Sequence, residues 1–521
     1  MNALLRRRWL LAAGSLAALA CGGGPPAAQF SILAGSELKD LEPYLAQIKK
    51  QTGVTIQFRY SGTLAGIDRL NEGETFDAVW FSHAKYLILS DAGRRRVKAE
   101  ERIMLSPVVL GVKESKARAF GWIDNPNITW ADIASRVKAG QLHFAMTNPT
   151  ASNSGFSAVI GVAAALSRSS SALTAADINS AALHDFFQGQ TLTAGSSGWL
   201  AESYTRDQDR LDGMINYESI LLSLNRGGQL RERLVLVYPK EGIVTADYPL
   251  VLLNEAKRDA YDRLVAFLRT PDFQRTIMTA TFRRPVNADV PLDPTFPRAL
   301  IVELPFPADL GVVDRILDSY LSEQRRPAHS YFLLDVSGSM EGTRLQQLQL
   351  ALRTLAGGDS SLTGRFARFQ PRERVSMLTF SDRIQDRVDF DLGTGGQTTV
   401  TRGAIEQFVD SLTTGGRTAL FTSLEETYRA ALAARVSDPQ RYFSIVLMTD
   451  GESNTGDHLG DFRSFYAALP PGDRDIKVFP IVFGEADRDE LTAIATVTGG
   501  RLFDGNTAAL AAVFKEIRGY Q

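Results

Sequence analysis

With 521 residues the chain exceeds what one hydrophobic core supports, and about three folding units of ~100–200 residues are expected. Its 44% hydrophobic and 22% charged content lies in the ordinary globular range, which excludes disorder, collagen and coiled coil as the dominant state. Lys+Arg 57 against Asp+Glu 59 leaves −2, without the surplus cation that a general nucleic-acid binder needs to displace counterions.

Residues 1–21 have the three parts of an export signal: a basic start at Arg6, Arg7 and Arg8, an apolar run over 9–20, and the small-residue pattern Ala18-Leu19-Ala20. The run is too short for a permanent membrane span, and no later apolar run reaches ~18 residues, so the body is expected to be soluble. Cys21 is the only cysteine, so no intrachain disulfide can form. It is followed by Gly22, Gly23, Gly24, Pro25 and Pro26, a flexible tether over 22–28. A lone cysteine in this place resembles the lipobox of bacterial lipoproteins. The resemblance implies lipidation of Cys21, export to the bacterial cell envelope, and membrane contact through the N-terminal lipid anchor only. Ala18 stands where lipoboxes favour Leu, and Ala18-x-Ala20 also suits the ordinary signal peptidase, so plain secretion stays open.

From 29 to 300 the pattern is mixed α/β. A strand over 30–34 runs into Gly35-Ser36-Glu37 and a helix marked by Leu38, Leu41, Leu45 and Ile48. Such strand–turn–helix junctions present backbone N–H groups and hydroxyls to an anion or polar ligand. Similar turns recur at Tyr60-Ser61-Gly62-Thr63, at the end of 77–82, over 144–155 and at Ile215-Asn216-Tyr217-Glu218. With Val237-Tyr238-Pro239 and Ala246-Asp247-Tyr248-Pro249, the region resembles a type 2 periplasmic solute-binding protein, nearest the molybdate/sulfate branch. That resemblance implies two α/β lobes closing on a ligand, with Ser36, Ser61 and Tyr217 facing the cleft together with Thr147, Asn148 and Ser152. Many hydroxyls and amides without an obvious positive cluster suit a small polar solute or an oxyanion. The same serines also suit turns and caps in a scaffold that binds nothing.

Prolines crowd between 283 and 307 (Pro285, Pro291, Pro294, Pro297, Pro305, Pro307) and mark a junction, since proline disrupts helices and central strands alike. A short amphipathic helix over 310–320 completes a linker at 301–327.

From 328 to 521 short apolar runs at 330–336, 374–380, 442–448 and 477–483 alternate with helical patterns at Leu345, Leu348, Leu352 and Leu355, and over 402–412, 420–434 and 487–497. The alternation predicts a Rossmann-like, doubly wound sheet with ligand sites at the carboxyl ends of its strands. The polar motifs fall there: Asp335-Val336-Ser337-Gly338-Ser339-Met340, Gly415-Gly416-Arg417-Thr418 and Thr449-Asp450-Gly451-Glu452. Together they resemble the metal-ion-dependent adhesion site (MIDAS) of von Willebrand factor type A (VWA) domains. The resemblance implies that Ser337, Ser339 and Thr418 bind Mg²⁺ or Mn²⁺ through neutral oxygens, with Asp335 and Asp450 behind them. A protein partner offering Asp or Glu would then fill the remaining position. Asp450, Glu452, Asn454, Gly456 and Asp457 also have the look of a calcium loop, but glycine falls at the seventh place and no glutamate at the twelfth, so a solvated loop is expected.

Catalysis finds no support in the motifs. His83, His143, His184, His329 and His458 form no His-Glu-x-x-His pair, and neither a Gly-x-Ser-x-Gly elbow nor a phosphate loop occurs, so the protein is expected not to be an enzyme. The expected function is an envelope binding protein of solute-binding and VWA type. The alternative is the high-affinity solute receptor of an ABC importer, carrying the VWA domain as an accessory.

Overall fold

The computed structural model describes residues 28–167, 171–298 and 301–521; the expected export signal over 1–21, with Cys21, lies outside them. The first body has two sheets. In one, the strands run Val54–Tyr60, Ala28–Ala34, Ala78–Trp80, Pro249–Leu252 and Ala99–Arg102, with the first three parallel and Pro249–Leu252 antiparallel to both neighbours. In the other, Met104–Lys113 is the long member. It pairs with Gly213–Tyr217, Leu234–Val237, Thr245–Ala246 and Arg284–Pro285, and Phe144–Thr147 and Gln190–Ala194 extend the sheet by parallel pairing.

Three passages of chain cross between the sheets: at Ile103, at 247–248, and through the helices Arg258–Leu268 and Pro271–Thr281 to Arg284. Two of them contain a non-glycine residue in the left-handed region, Tyr248 at φ 39° and Phe282 at φ 52°, which persist only where surrounding packing over-determines them. The two sheets are therefore lobes joined by three crossings, two of them short and one carrying two helices.

The C-terminal sheet has six strands in the order Ile384–Asp391, Arg374–Phe380, Ala328–Asp335, Tyr442–Thr449, Lys477–Val482 and Phe503–Asp504, all parallel except the first. Its strands lack strict polar alternation because both faces are covered. Phe332, Leu334, Val446, Met448, Phe479 and Ile481 face one core, and Tyr331, Leu333, Ile445, Leu447, Val478 and Val482 face the other. The first of these cores runs on without a break through the linker helix Leu310–Ser319 into both lobes.

The C-terminal domain rests on both lobes. On the first, the buried Asp68 carboxylate accepts from the Leu362 N–H (3.0 Å) and the Thr363 N–H (2.7 Å) at the start of the helix Leu362–Ala367, where free N–H groups favour an anion. On the second, Tyr520 meets Trp199 edge-on at 4.8 Å over Gly195, where a Cβ would lie 2.4 Å from the Tyr520 ring. Ala151 is held between the two. A Cβ on Gly62 of the first lobe would lie 2.6 Å from its carbonyl oxygen, and a Cβ on Gly519 would lie 2.9 Å from its side chain. Among the described residues no helix is long and apolar enough to cross a membrane.

Candidate functional site

Asp335 ends the strand Ala328–Asp335, and Asp450 follows its parallel neighbour Tyr442–Thr449, so pairing brings two carboxylates to the same edge of the sheet. Both are fully buried. Asp335 accepts from the Ser337 N–H (2.8 Å) through one oxygen and from the Thr449 hydroxyl (2.6 Å) through the other. Burial raises its pKa against these hydrogen bonds, and the neighbouring Asp450 charge adds to the rise. The Ser337 and Ser339 hydroxyls are 3.0 Å apart, and Ser339 donates to Asp450 Oδ1 at 2.7 Å. A Cβ on Gly451 would sit 3.6 Å from the Ser339 hydroxyl and 3.9 Å from that of Thr418, so the two oxygens flank one small cradle.

The glycine pair of the Thr418 loop has a defined task. The Gly415 N–H donates to Val336 O (2.8 Å) and Gly416 O accepts from the Gly338 N–H (3.1 Å), which lays the loop against the Asp-x-Ser turn. Gly416 has φ 83° and lies so close to Ser381 that a Cβ would come within 2.8 Å of its hydroxyl.

Thr418 is held by a residue outside the motifs. The Asn454 side-chain oxygen accepts from the Thr418 N–H (3.0 Å), and the Asn454 N–H donates to the Thr418 carbonyl (3.0 Å). The segment expected to be merely a solvated loop therefore clamps the third element of the site, and Asp457 likewise accepts from the Thr422 hydroxyl at 2.8 Å. A second unforeseen residue is Arg344, whose guanidinium donates to Asp450 Oδ2 at 2.5 Å and approaches Glu485 at 3.4 Å.

Five oxygen-bearing side chains, two of them carboxylates held behind hydroxyls, form a donor set that suits a hard divalent cation such as Mg²⁺. A cavity of about 340 Å³ adjoins the site, lined by Val336, Thr379, Ser381, Asp382, Phe408 and the loop 411–416.

The residues expected in the cleft between the lobes are less uniform. Ser36 is exposed and Ser61 half-buried on the first lobe. Tyr217 is buried on the second, where burial, with the Glu37 carboxylate nearby, pushes its phenol well above the ordinary range. Thr147 is fully buried and engaged within its own lobe, its hydroxyl 2.9 Å from that of Ser154 and accepting from the Gly155 N–H at 2.7 Å. Asn148 accepts from the Thr150 N–H and hydroxyl and donates to the Arg518 carbonyl at 3.4 Å. Ser152 lies 3.4 Å from the Ser197 hydroxyl.

Glu37, Tyr248 and Arg283 lie near Tyr217, and of these Arg283 stands outside the sequence motifs. Arg283 is buried against the Tyr248 ring at 4.9 Å and donates to Asp40 (2.6 Å) and to the Glu37 carbonyl (3.0 Å). Glu37 folds back over Gly35, where a Cβ would lie 2.6 Å from both carboxylate oxygens, and burial raises its pKa. The turn expected to offer an anion site thus already carries a carboxylate of the chain itself. The expectation of no obvious positive cluster stands beside a single buried cation, Arg283, which joins Glu37 across 246 positions that no local pattern spans.

Residues 31–283 match the family model of bacterial extracellular solute-binding proteins, and residues 331–516 match that of the von Willebrand factor type A domain. Among curated proteins none matches the chain. Solved structures that resemble it include the periplasmic binding protein AfuA from Actinobacillus pleuropneumoniae with fructose-6-phosphate bound. That structure is 14% identical, with 57% of this chain and 98% of that one covered, and the TM-score is 0.44. The sulfate-binding protein SubI from Mycobacterium tuberculosis is 17% identical, with coverage of 50% and 88% and a TM-score of 0.38. A von Willebrand factor type A structure from Catenulispora acidiphila is 16% identical, with coverage of 38% and 43% and a TM-score of 0.29. The chain therefore joins a two-lobed domain of the bacterial extracellular solute-binding family to a von Willebrand factor type A domain.

Proposed function

We propose that the protein is a binding protein of the bacterial cell envelope whose VWA domain grips an acidic side chain of a partner protein through a divalent cation. Ser337, Ser339 and Thr418 would hold the ion, Mg²⁺ or Mn²⁺, with Asp335 and Asp450 behind them. The ion would supply an open, electrophilic position that a carboxylate fills. The observation that carries this reading is the convergence of Ser337, Ser339 and Asp450 within hydrogen-bond distance, beside Thr418, at the carboxyl edge of the sheet.

The two-lobed domain provides the scaffold for a small polar solute. Beside Tyr217, the Glu37 carboxyl, whose pKa burial raises, and the Arg283 guanidinium offer donors and acceptors together, which suits a small polar solute or an oxyanion. The grip of the VWA domain on both lobes favours this reading over that of an importer's receptor, whose lobes must swing freely.

Calorimetric titration of the purified protein with MgCl₂ tests the metal. Saturable binding is expected, weakened about 10–100-fold in Asp450→Ala, the usual cost of losing a group that orients the inner ligands. Equal affinity in both proteins would sink the proposal.

A further inference from the structure

A cavity of about 350 Å³ opens where the second lobe, the linker and the VWA domain meet, away from both the hydroxyl cluster and the inter-lobe cleft. Its walls carry Arg210, Arg325, Arg326, Arg435, Arg441 and Lys477, against two side-chain carboxylates, Asp207 and Asp475, and the main-chain oxygen of Gln521, which accepts from Arg325 at 3.1 Å. Both aspartates are engaged: Asp207 with Lys477 at 2.8 Å, and Asp475 with Arg435 and, at 3.4 Å, with Arg210. Arg325 is paired with Glu373, and Arg441 with Asp438 at 2.6 Å. The cations thus outnumber the anions around an open space.

Arg326 differs from the other five. Among the described residues it makes no ion pair, and its Nε is buried without a hydrogen-bond partner. Three further buried donors on the same walls are also unpartnered: the Nε of Arg325, whose other nitrogens are engaged, the Tyr442 phenol of the VWA domain and the Thr191 hydroxyl of the second lobe. An unmet buried polar group is costly and uncommon, and four around one cavity, supplied by three parts of the chain, call for a common acceptor. Burial without a counter-charge lowers the Arg326 pKa, the direction that an incoming anion would reverse.

We propose that this junction is a binding site for a phosphate-type dianion, either free phosphate or the phosphate group of a small ester, with Arg326, Tyr442 and Thr191 as its donors. Guanidinium groups match phosphate geometry, and the cavity is large enough for a group attached to the phosphate. Because the donors come from both domains and the linker, the bound anion fastens the domains together, and it binds only where they are docked.

The test uses purified protein, thermal unfolding and calorimetry, with inorganic phosphate in one arm, glycerol 3-phosphate in another, and sodium chloride at matched ionic strength as the control. A saturable rise in melting temperature in either phosphate arm, absent with chloride, is expected; the arm with the tighter affinity identifies free phosphate or ester as the ligand. Arg326→Gln is expected to weaken that affinity about tenfold or more, as loss of a charge-assisted hydrogen bond does. Without added anion the same variant should melt at or above the unsubstituted protein, because it removes a desolvated, unpaired cation. Tyr442→Phe should weaken phosphate binding as well. No phosphate-specific shift, an unchanged affinity in Arg326→Gln, or a lower melting temperature for that variant without anion would each overturn the proposal.

Discussion

The Arg344 guanidinium donates to one oxygen of Asp450 at 2.5 Å while the other oxygen of that carboxylate accepts from Ser339 at 2.7 Å. A fixed positive charge therefore already leans on the acid that stands behind the hydroxyl cluster. A divalent cation one side chain away from a guanidinium is repelled by about 1–2 kcal/mol even at water-like dielectric. Arg344→Gln should accordingly raise Mg²⁺ affinity about tenfold in a calorimetric titration. Unchanged or weaker binding would show that Arg344 positions Asp450 instead of competing for it.

His83 lies between the Phe156 and Phe306 rings at 5.1 and 6.1 Å, with neither ring nitrogen hydrogen-bonded. Burial pushes its pKa down to about 4. With the folded value depressed below the unfolded ~6.5, the unfolded chain binds the extra proton first. Stability from this group is complete above pH ~6.5 and is lost as pH falls towards 4, about 2 kcal/mol between pH 7 and pH 5. His83→Phe should remove that part of the acid sensitivity in urea unfolding at the two pH values. An undiminished pH dependence would refute the assignment.

Gly195 leaves room for the Tyr520 ring. Gly195→Ala should force that ring from Trp199 and loosen the seat of the VWA domain on the second lobe, at a cost of about 1–3 kcal/mol typical of overpacking. Faster proteolysis between the domains, with each domain still folded by circular dichroism, is the expected result. Cleavage at an unaltered rate would mean the ring shifts without loss.

Cys21→Ser should release the protein from membranes into the soluble fraction, since acyl chains would be its only apolar anchor. Equal retention of both forms in a membrane pellet would refute lipidation.

The strands of the VWA domain were legible because a doubly covered sheet demands unbroken apolar runs. The expected 374–380 coincides with Arg374–Phe380, and 330–336, 442–448 and 477–483 lie within one or two residues of Ala328–Asp335, Tyr442–Thr449 and Lys477–Val482. Ile384–Asp391 was not legible, since its edge position leaves most of its side chains in solvent and its sequence polar. The helix expected from Leu38 to Ile48 begins instead as the tighter 3₁₀ turn Ser36–Tyr44, which contains Pro43, and becomes α-helical at Leu45. The Asp, Ser and Thr members of the candidate site stood out because each sits in a short motif at a strand end. Asn454 and Arg344 did not, because they act on Thr418 and Asp450 through tertiary contacts that carry no local spacing. Arg283 was hidden for the same reason: its partners Glu37 and Asp40 lie more than two hundred positions upstream.

Ala151, caught between Gly62 and Gly519, gives the assembly a mechanical character. Any hinge rotation that parted the jaws by several ångströms would have to tear either the Asp68 grip or the Tyr520 seat, so work done at the mouth is drawn from the same bonds that moor the C-terminal domain. Tension applied to that domain by a tethered partner would be transmitted to the clamshell as leverage.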